Sequence, residues 1–379
     1  LTDQAATQVH DIGVYLKTGP ENKIGFQILA GGGLGRTPMI GKEIFDFVER
    51  RQLLTALEAI LRVYNRLGRR DNKYKARIKI LVKETGIEEF KNLVMQEWNQ
   101  IKDGPLTLTE EEITRCKNYF LEANYEELED HPKILKSELE KNLLFNAWFE
   151  QNVRQHKKAG YSIVTICFKQ TGIAPGDITD SQLEFVADLA DEYSFGEVRI
   201  THHQNIVLAD VKQLDLPSLW QKLNNKSLSV PNLGLLSDVI CCPGGDFCAL
   251  ANAKSLPIAE SIQRKFSDEK FIRDVGELRV NISGCMNACG HHHVGNIGIL
   301  GVDKKGEEFY QISLGGSSKN KASIGKIIGP AFSEQEIPEI IDKIINIYRA
   351  SRNKGETFIE TYNRIGLEPF KEYVYAKPD

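Results

Sequence analysis

Two stretches of this chain repeat one pattern, and that repeat limits the fold more than any other feature. HDIGVYLKTGPENKIGFQILAGGGLG (10–35) and HHVGNIGILGVDKKGEEFYQISLGGS (292–317) each run from a histidine through an Ile-Gly pair, an apolar strand, a charged turn and a second strand to a glycine cluster. Farther on, LLTALEAILRVYNR (53–66) matches IPEIIDKIINIYRA (337–350) as an amphipathic helix, and TGIEEFK (85–91) matches IGLEPFK (365–371). The chain therefore holds two copies of one α/β unit.

Between the copies, a connector over about residues 100–156 is predicted to be mostly helical, since 108–155 has helical periodicity and many charges. YSIVTICFKQ (161–170) reads as a strand, TDSQLEFVADLADEYS (179–194) as a helix opened by a Thr or Asp cap, GEVRITHHQNIVLADV (196–211) as a second strand, and DLPSLWQKLNNK (215–226) as another helix. Strand–helix–strand–helix is half of a ferredoxin-like sandwich, and half a sheet leaves an edge that needs a partner. The expected fold class is α+β, with two pseudo-repeated α/β units flanking the ferredoxin-like half. The expected domains are 1–156, 157–226 and 227–379.

Only the second copy carries paired cysteines. Cys242 and Cys248 stand in CCPGGDFC (241–248), and Cys285 and Cys289 in ISGCMNACG (282–290). Glycines and a proline around them let the backbone wrap closely about a compact inorganic core. Structural zinc sites prefer gaps of about two to four residues, whereas the gaps here are five and three with 36 residues between the pairs. An iron–sulfur cluster suits this spacing better than zinc or a disulfide. Cys116, Cys167 and Cys241 lack such a setting and read as free thiols. With 41% hydrophobic and 26% charged residues and a net charge of −4, the composition gives no support to nucleic-acid binding. No apolar run reaches membrane-spanning length and no signal peptide is evident, so a cytoplasmic location is expected, where cysteines remain available to metal.

The cysteine pattern C-x5-C and C-x3-C, with RITHHQN (199–205), LAGGGLGRTP (29–38) and GCMNACGHHH (284–293), resembles the siroheme-containing sulfite and nitrite reductases over the whole chain. The resemblance makes the repeats siroheme-binding units. It implies a 4Fe-4S cluster on Cys242, Cys248, Cys285 and Cys289, with Cys289 also bridging to the siroheme iron as axial ligand. It places Arg199, at the catalytic centre with Cys289, and Thr201, Gln204 and Asn205 near siroheme. On a regular strand Gln204 would face away from the other three, so this set requires a twist or bulge. The implied reaction is six-electron reduction of sulfite to sulfide, or of nitrite to ammonia. Sulfite is favoured by the wording CPGGDFC and NAKS (252–255), which is closer to assimilatory sulfite reductase hemoproteins. Alternatives of other classes are an iron–sulfur carrier or sensor without siroheme and a zinc-stapled module. The chain departs from the family at Leu1, opening where members would already have passed a first ferredoxin-like half and a basic segment; an N-terminal part is expected to be lacking.

Siroheme bears eight carboxylates, which calls for a basic lining. RLGRRDNKYKARIK (66–79) is either a solvated helix face or a source of carboxylate ligands among Arg69, Arg70, Lys73, Lys75 and Arg77. Gly31, Gly32 and Gly33 imitate a dinucleotide fingerprint, but Arg36 stands where the third glycine is needed. The run reads instead as close backbone approach to the tetrapyrrole, with backbone N–H groups and Arg36 facing its carboxylates. Asn287 is expected to order its loop by bonding backbone or a cluster sulfur, and His291–His293 to be loop histidines, with siroheme contact by one of them as the alternative. Without a nucleotide site, electrons must come from a separate ferredoxin or flavoprotein, and the basic, mobile-looking SSKNKASIGK (317–326) is a docking candidate.

Overall fold

Residues 3, 5–19, 22–120 and 122–376 are described by a computed structural model, whose packing divides the chain into two units. The first comprises Leu1–Glu122 with Ser317–Ile324, and the second Ala123–Gly316 with Gly325–Asp379.

In the first unit, β1 (Ile12–Thr18) and β2 (Ile24–Ala30) form an antiparallel hairpin with Ile12 opposite Ala30, and β3 (Lys42–Glu49) adds to β2 with bulges around Ile28. Three helices follow: α1 (Leu53–Leu67), α2 (Ile78–Thr85) and α3 (Ile87–Ile101). In α1 the residues Thr55, Ala56, Ala59, Ile60 and Val63 make one buried stripe, at the spacing that keeps side chains on one helix face. They meet Ile28, Ile44, Phe90 and Val94 in a single core. Gly86 ends α2 at φ 85°, ψ 150°, a conformation that suits only glycine, and lets α3 start at once. Then α4 (Glu110–Lys117) is capped by the Thr109 hydroxyl, which accepts from Glu112 N–H.

The second unit opens with α5 (Lys133–Lys141), α6 (Leu143–Asn152), β4 (Val153–Gln155), β5 (Tyr161–Cys167), α7 (Asp180–Tyr193), β6 (Arg199–Ile200), β7 (Asn205–Lys212) and α8 (Leu216–Asn225). Thr179 caps α7 in a capping box with Gln182. The ferredoxin-like half is present, with three differences from expectation. Residues 122–130 of the connector carry no regular structure, and 153–155 are a strand. That strand completes a four-stranded sheet of order β4-β5-β7-β6, whose edge strands are only three and two residues long, a length that limits edge pairing. The expected strand over 196–211 is two strands, because Gln204 adopts φ 60° and closes a turn in which Gln204 N–H donates to Thr201 O and Thr201 N–H to Asn205 O.

The rest of this unit is β8 (Ile240–Cys241), α9 (Leu256–Lys265), α10 (Glu269–Val275), β9 (Val280–Ser283), β10 (Ile297–Lys304), β11 (Glu307–Leu314), β12 (Lys326–Ile327), α11 (Ile337–Ser351), α12 (Phe358–Ile365) and α13 (Glu368–Tyr375). The strands form one sheet of order β12-β11-β10-β9-β8, with β8, β9 and β10 parallel. Helix α11 turns Ile337, Ile341, Ile344, Ile345 and Tyr348 into the core beside Ile282, Ile299 and Ile312. No described helix is long and apolar enough to cross a membrane.

Candidate metal centre

Parallel pairing brings the C-terminal ends of β8 and β9 to the same edge of the sheet. Cys242 follows β8 directly and Cys285 lies two residues beyond β9, so the two cysteine loops start side by side. Cys242 N–H donates to Ile282 O at 3.2 Å, and Gly284 N–H donates to the Cys242 sulfur at 3.1 Å. The loop then closes through a 3₁₀ turn at Gly244–Asp246, with Cys248 N–H on Gly244 O at 2.9 Å. Asn252 N–H and Ala253 N–H both donate to Gly284 O, at 2.8 and 3.1 Å, and stitch the first loop to the second. A side chain at Gly284 would stand 2.6 Å from Ala253 O and 2.9 Å from Gly244 Cα, so the loops pass at backbone contact. Left-handed residues at Ala288 and His291 turn the second loop back, and Gly290 is held by Ser283 and Asn281, whose side chains bond its N–H and carbonyl.

Among the four thiols, Cys285 is buried, Cys242 and Cys248 are half-buried and Cys289 is exposed. Burial and then the thiols of Cys242, Cys285 and Cys248 push the Cys289 thiol up from its ordinary pKa, so the four sulfurs lie within electrostatic reach of one another. Gathered thiolates repel, and bound iron offsets that repulsion. Among the described residues no three His, Cys, Asp or Glu side chains close round a single ion. Four sulfur donors, a backbone N–H aimed at one of them and walls of glycine fit an iron–sulfur cluster.

The residues expected around this centre separate into distinct roles. Arg199 lies on the exposed edge strand and pairs with Glu197. The Thr201 hydroxyl accepts from Asn205 N–H at 3.2 Å and shapes the turn. Asn205 is 1% exposed, and its amide bonds Phe168 N–H, Lys169 and Asp238. Gln204 reaches the Cys241 backbone, donating to the carbonyl at 2.8 Å and accepting from the N–H at 3.0 Å. The turn at 201–204 is what lets Gln204 and its neighbours face different ways. Asn287 is exposed on the second cysteine loop. His292 is buried and, with His293 and His291 beside it, has its pKa lowered to about 3; neither ring nitrogen has a hydrogen-bond partner among the described residues.

Sequence reasoning missed a buried ion pair. Lys169 Nζ, fully buried, lies 2.5 Å from Asp238 Oδ1 and donates to His203 O at 2.7 Å, while Gly234 N–H donates to Asp238 Oδ2. His203 Nε2 accepts from Arg279 Nη1 at 2.7 Å. A lysine directly after an apolar strand was the available signal, but it reads equally as a solvated strand end.

In the first unit, the basic run is not a helix face: 68–72 is irregular and a 3₁₀ turn spans Lys73–Lys75. Most of its cations have partners. Arg69 pairs with Asp71 and Glu84, Arg70 stacks on Tyr64, and Arg77 makes a bidentate pair with Asp11 at 2.9 and 2.8 Å. Lys79 is buried on the carbonyls of Leu34 and Thr37. What crowds Gly31, Gly32 and Gly33 is protein: Val82, the Gln8 and His10 carbonyls, and Arg77 with Lys79. Arg36 is exposed and makes no ion pair among the described residues. The 317–326 loop, read as mobile, is anchored instead by a Ser317–Ser323 bridge and by Asn320, which accepts from Asp3 N–H at 2.6 Å and Gln8 Nε2 at 2.5 Å.

Comparison with known proteins bears on both units. The family described as nitrite and sulphite reductase 4Fe-4S domain matches residues 2–102 and 235–378, and the nitrite/sulfite reductase ferredoxin-like half domain matches 153–226. The chain is 26% identical over 365 residues to sulfite reductase (ferredoxin) 1 of Mycolicibacterium paratuberculosis, covering 93% of this chain and 58% of the relative. It is 25% identical to the assimilatory ferredoxin-dependent nitrite reductase of Haloferax mediterranei, covering 92% and 56%. The solved structure of the Mycobacterium tuberculosis NirA protein shares the fold, with a TM-score of 0.71 at 23% identity over 97% of this chain and 62% of that one. This chain therefore spans less than two thirds of the length of each of these three proteins.

Proposed function

Because the chain belongs to the nitrite and sulphite reductase 4Fe-4S domain family, whose members carry siroheme and a 4Fe-4S cluster, we propose that it serves the six-electron reduction of sulfite to sulfide. Reduction of nitrite to ammonia is the second reading, favoured by the similarity to nitrite reductases at nearly the same identity. The observation that carries the proposal is the meeting of two cysteine loops at the ends of parallel strands, with Gly284 N–H on the Cys242 sulfur.

In this reading Cys242, Cys248, Cys285 and Cys289 hold the cluster. When bound, cluster and siroheme supply stored electrons and a site for the anion. The chain's own groups then have separable tasks. Gly284 N–H lowers the charge density on the Cys242 thiolate, and the close passage of the two loops keeps water from Cys285. Cys289, the exposed thiol of the four, would be the cluster ligand most open to siroheme. Arg36, free of internal pairing among the described residues, is available to a tetrapyrrole carboxylate, whereas Arg77 must share itself with Asp11 and Arg199 must leave Glu197. We assign electron donation to a ferredoxin, which the relatives' names support, with a flavoprotein as the alternative, and a cytoplasmic setting. The test is an ultraviolet–visible spectrum with iron and acid-labile sulfide analysis of protein from a siroheme-producing host, followed by turnover of both anions with reduced methyl viologen. Haem bands with sulfur-to-iron absorption and sulfite turnover are expected. Sulfur-to-iron absorption alone would leave only a carrier or sensor, and a colourless protein would overturn the proposal.

A further inference from the structure

Strand β8 is the outer strand of its sheet, only two residues long, and Cys242 follows it directly. On its inner side it pairs with β9, Ile240 beside Asn281 and Cys241 beside Ile282. In a parallel ladder the N–H and C=O of one residue point the same way, so Cys241 turns both groups outward, where a further strand would have stood. No strand is there. Gln204 stands in its place: its side-chain amide accepts from Cys241 N–H at 3.0 Å and donates to Cys241 O at 2.8 Å, doing with one residue what a neighbouring strand does.

The surroundings give Gln204 little freedom. It sits at φ 60° in the turn between β6 and β7, and a side chain at Gly176 would come within 2.7 Å of its Cβ. Its neighbours grip the same lobe, His203 through Arg279 and Asn205 through Asp238, with Lys169 Nζ on His203 O. Three consecutive residues thus hold three different points around the cysteine loops.

We propose that Gln204 is a positioning residue for the cluster: it fixes the Cys241–Cys242 peptide plane, and through it the direction of the Cys242 sulfur toward Gly284 N–H. Its amide therefore works on the protein's own backbone, where sequence resemblance had put it near the tetrapyrrole. The consequence for the cluster rests on the proposed function; the fixing of the backbone does not.

The two are tested apart. In the cluster-free full chain, native-state hydrogen exchange should find the Cys241 amide as protected as the amides of β9, although it lies on the outer edge of the sheet. Gln204→Met keeps the side-chain length and removes both bonds, so this amide should exchange roughly tenfold faster, while Gln204→Glu keeps the acceptor and should restore protection. Amides of α7 should be unchanged in both. In the cluster-loaded protein, Gln204→Met should release iron to a chelator roughly tenfold faster and shift the cluster's electron paramagnetic resonance signal, with the siroheme bands in place. An unprotected Cys241 amide in the wild type overturns the inference without any variant, as does equal exchange in Gln204→Met. A shifted siroheme spectrum with normal cluster retention would put Gln204 on the tetrapyrrole. Wild-type protein that takes up no iron or sulfide would instead remove the proposed function, and the exchange result would still judge Gln204.

Discussion

The two copies of the repeat agree in much of their backbone detail and differ most where the cysteines enter. In each, a left-handed residue (Ala6, His291) opens a 3₁₀ turn (Thr7–Val9, His292–Val294), and a glycine in the next strand (Gly13, Gly298) crowds the carbonyl of Thr7 or His292. Each hairpin ends in glycines whose neighbours correspond: Gly32 against the Gln8 and His10 carbonyls, Gly316 against those of His293 and Gly295. Each then makes a small bridge, Gly33 with Met39 and Ser317 with Ser323, before a 15-residue helix, an eight-residue helix and a left-handed glycine. The second copy alone adds β8 and β9 beside its hairpin. The duplicated part is thus a frame, and the two cysteine loops follow two strands that only one copy of it carries. Gly31 and Gly32 are crowded, like Gly315 and Gly316, by a helix side chain and by the carbonyls of the 3₁₀ turn and its cap, whereas Gly33 meets Arg77 and Lys79 and corresponds to Ser317.

The sharpest break should come at the graft. Cys242→Ser, Cys248→Ser or Cys285→Ser should each abolish or destabilise the cluster, read as iron and acid-labile sulfide content, since serine is a harder and far less acidic donor. Cys116→Ser, at an exposed site in the first unit, should leave both contents unchanged; normal iron in any of the first three variants would remove that cysteine from the ligand set.

The next largest effect should fall on Lys169, which belongs to neither copy. Lys169→Met strands the Asp238 carboxylate in the interior and should cost about 3–5 kcal/mol in denaturant unfolding. A loss under 1 kcal/mol would mean that Asp238 takes a proton or reaches solvent.

The frame itself is tested by a matched pair. Gly86→Ala and Gly366→Ala force alanine into a backbone region nearly confined to glycine, and because nothing lies within 4 Å of either position the cost is strain alone. Each should lose about 1–3 kcal/mol, by equal amounts. Unequal losses would show that the copies differ energetically despite their common geometry.

Confined to acidic conditions is a pH effect at His203. Burial, and then the nearby Arg279 guanidinium, lower its pKa from 6.5 to about 3. The unfolded chain takes up this proton below pH 6.5 and the folded chain does not until about pH 3, so its contribution is complete above 6.5 and is lost as pH falls through that window. The loss should be on the order of 2 kcal/mol by pH 5. His203→Gln should flatten the stability profile there, and an unchanged profile would mean that the imidazole titrates normally.

Repetition, the ferredoxin-like half and the cysteine quartet were all legible in the sequence because each depends on local pattern: period, cap residues, spacing. What escaped was set by long-range packing. RITHHQN looks like one strand because its residues alternate acceptably, and only Gln204's left-handed backbone, backed by Gly176, divides it. The 66–79 run looks like a cationic surface, yet Asp11, 66 positions from Arg77, claims that guanidinium. Lys169 gives no local sign that Asp238, 69 positions on, will bury it.

The loop at Ser317–Ile324 packs as part of the first unit although most of the second precedes it in the chain. On a ribosome working from the N-terminus, that unit has its first 122 residues early but lacks this piece until residue 324 has been made. At about 5–20 residues per second the gap is roughly 10 to 40 s. Throughout that interval Asp3 and Gln8 lack the Asn320 groups that later hold them. A unit that emerges early and is completed by a segment made late stays unfinished through that interval, and its yield in a cell should respond to translation speed.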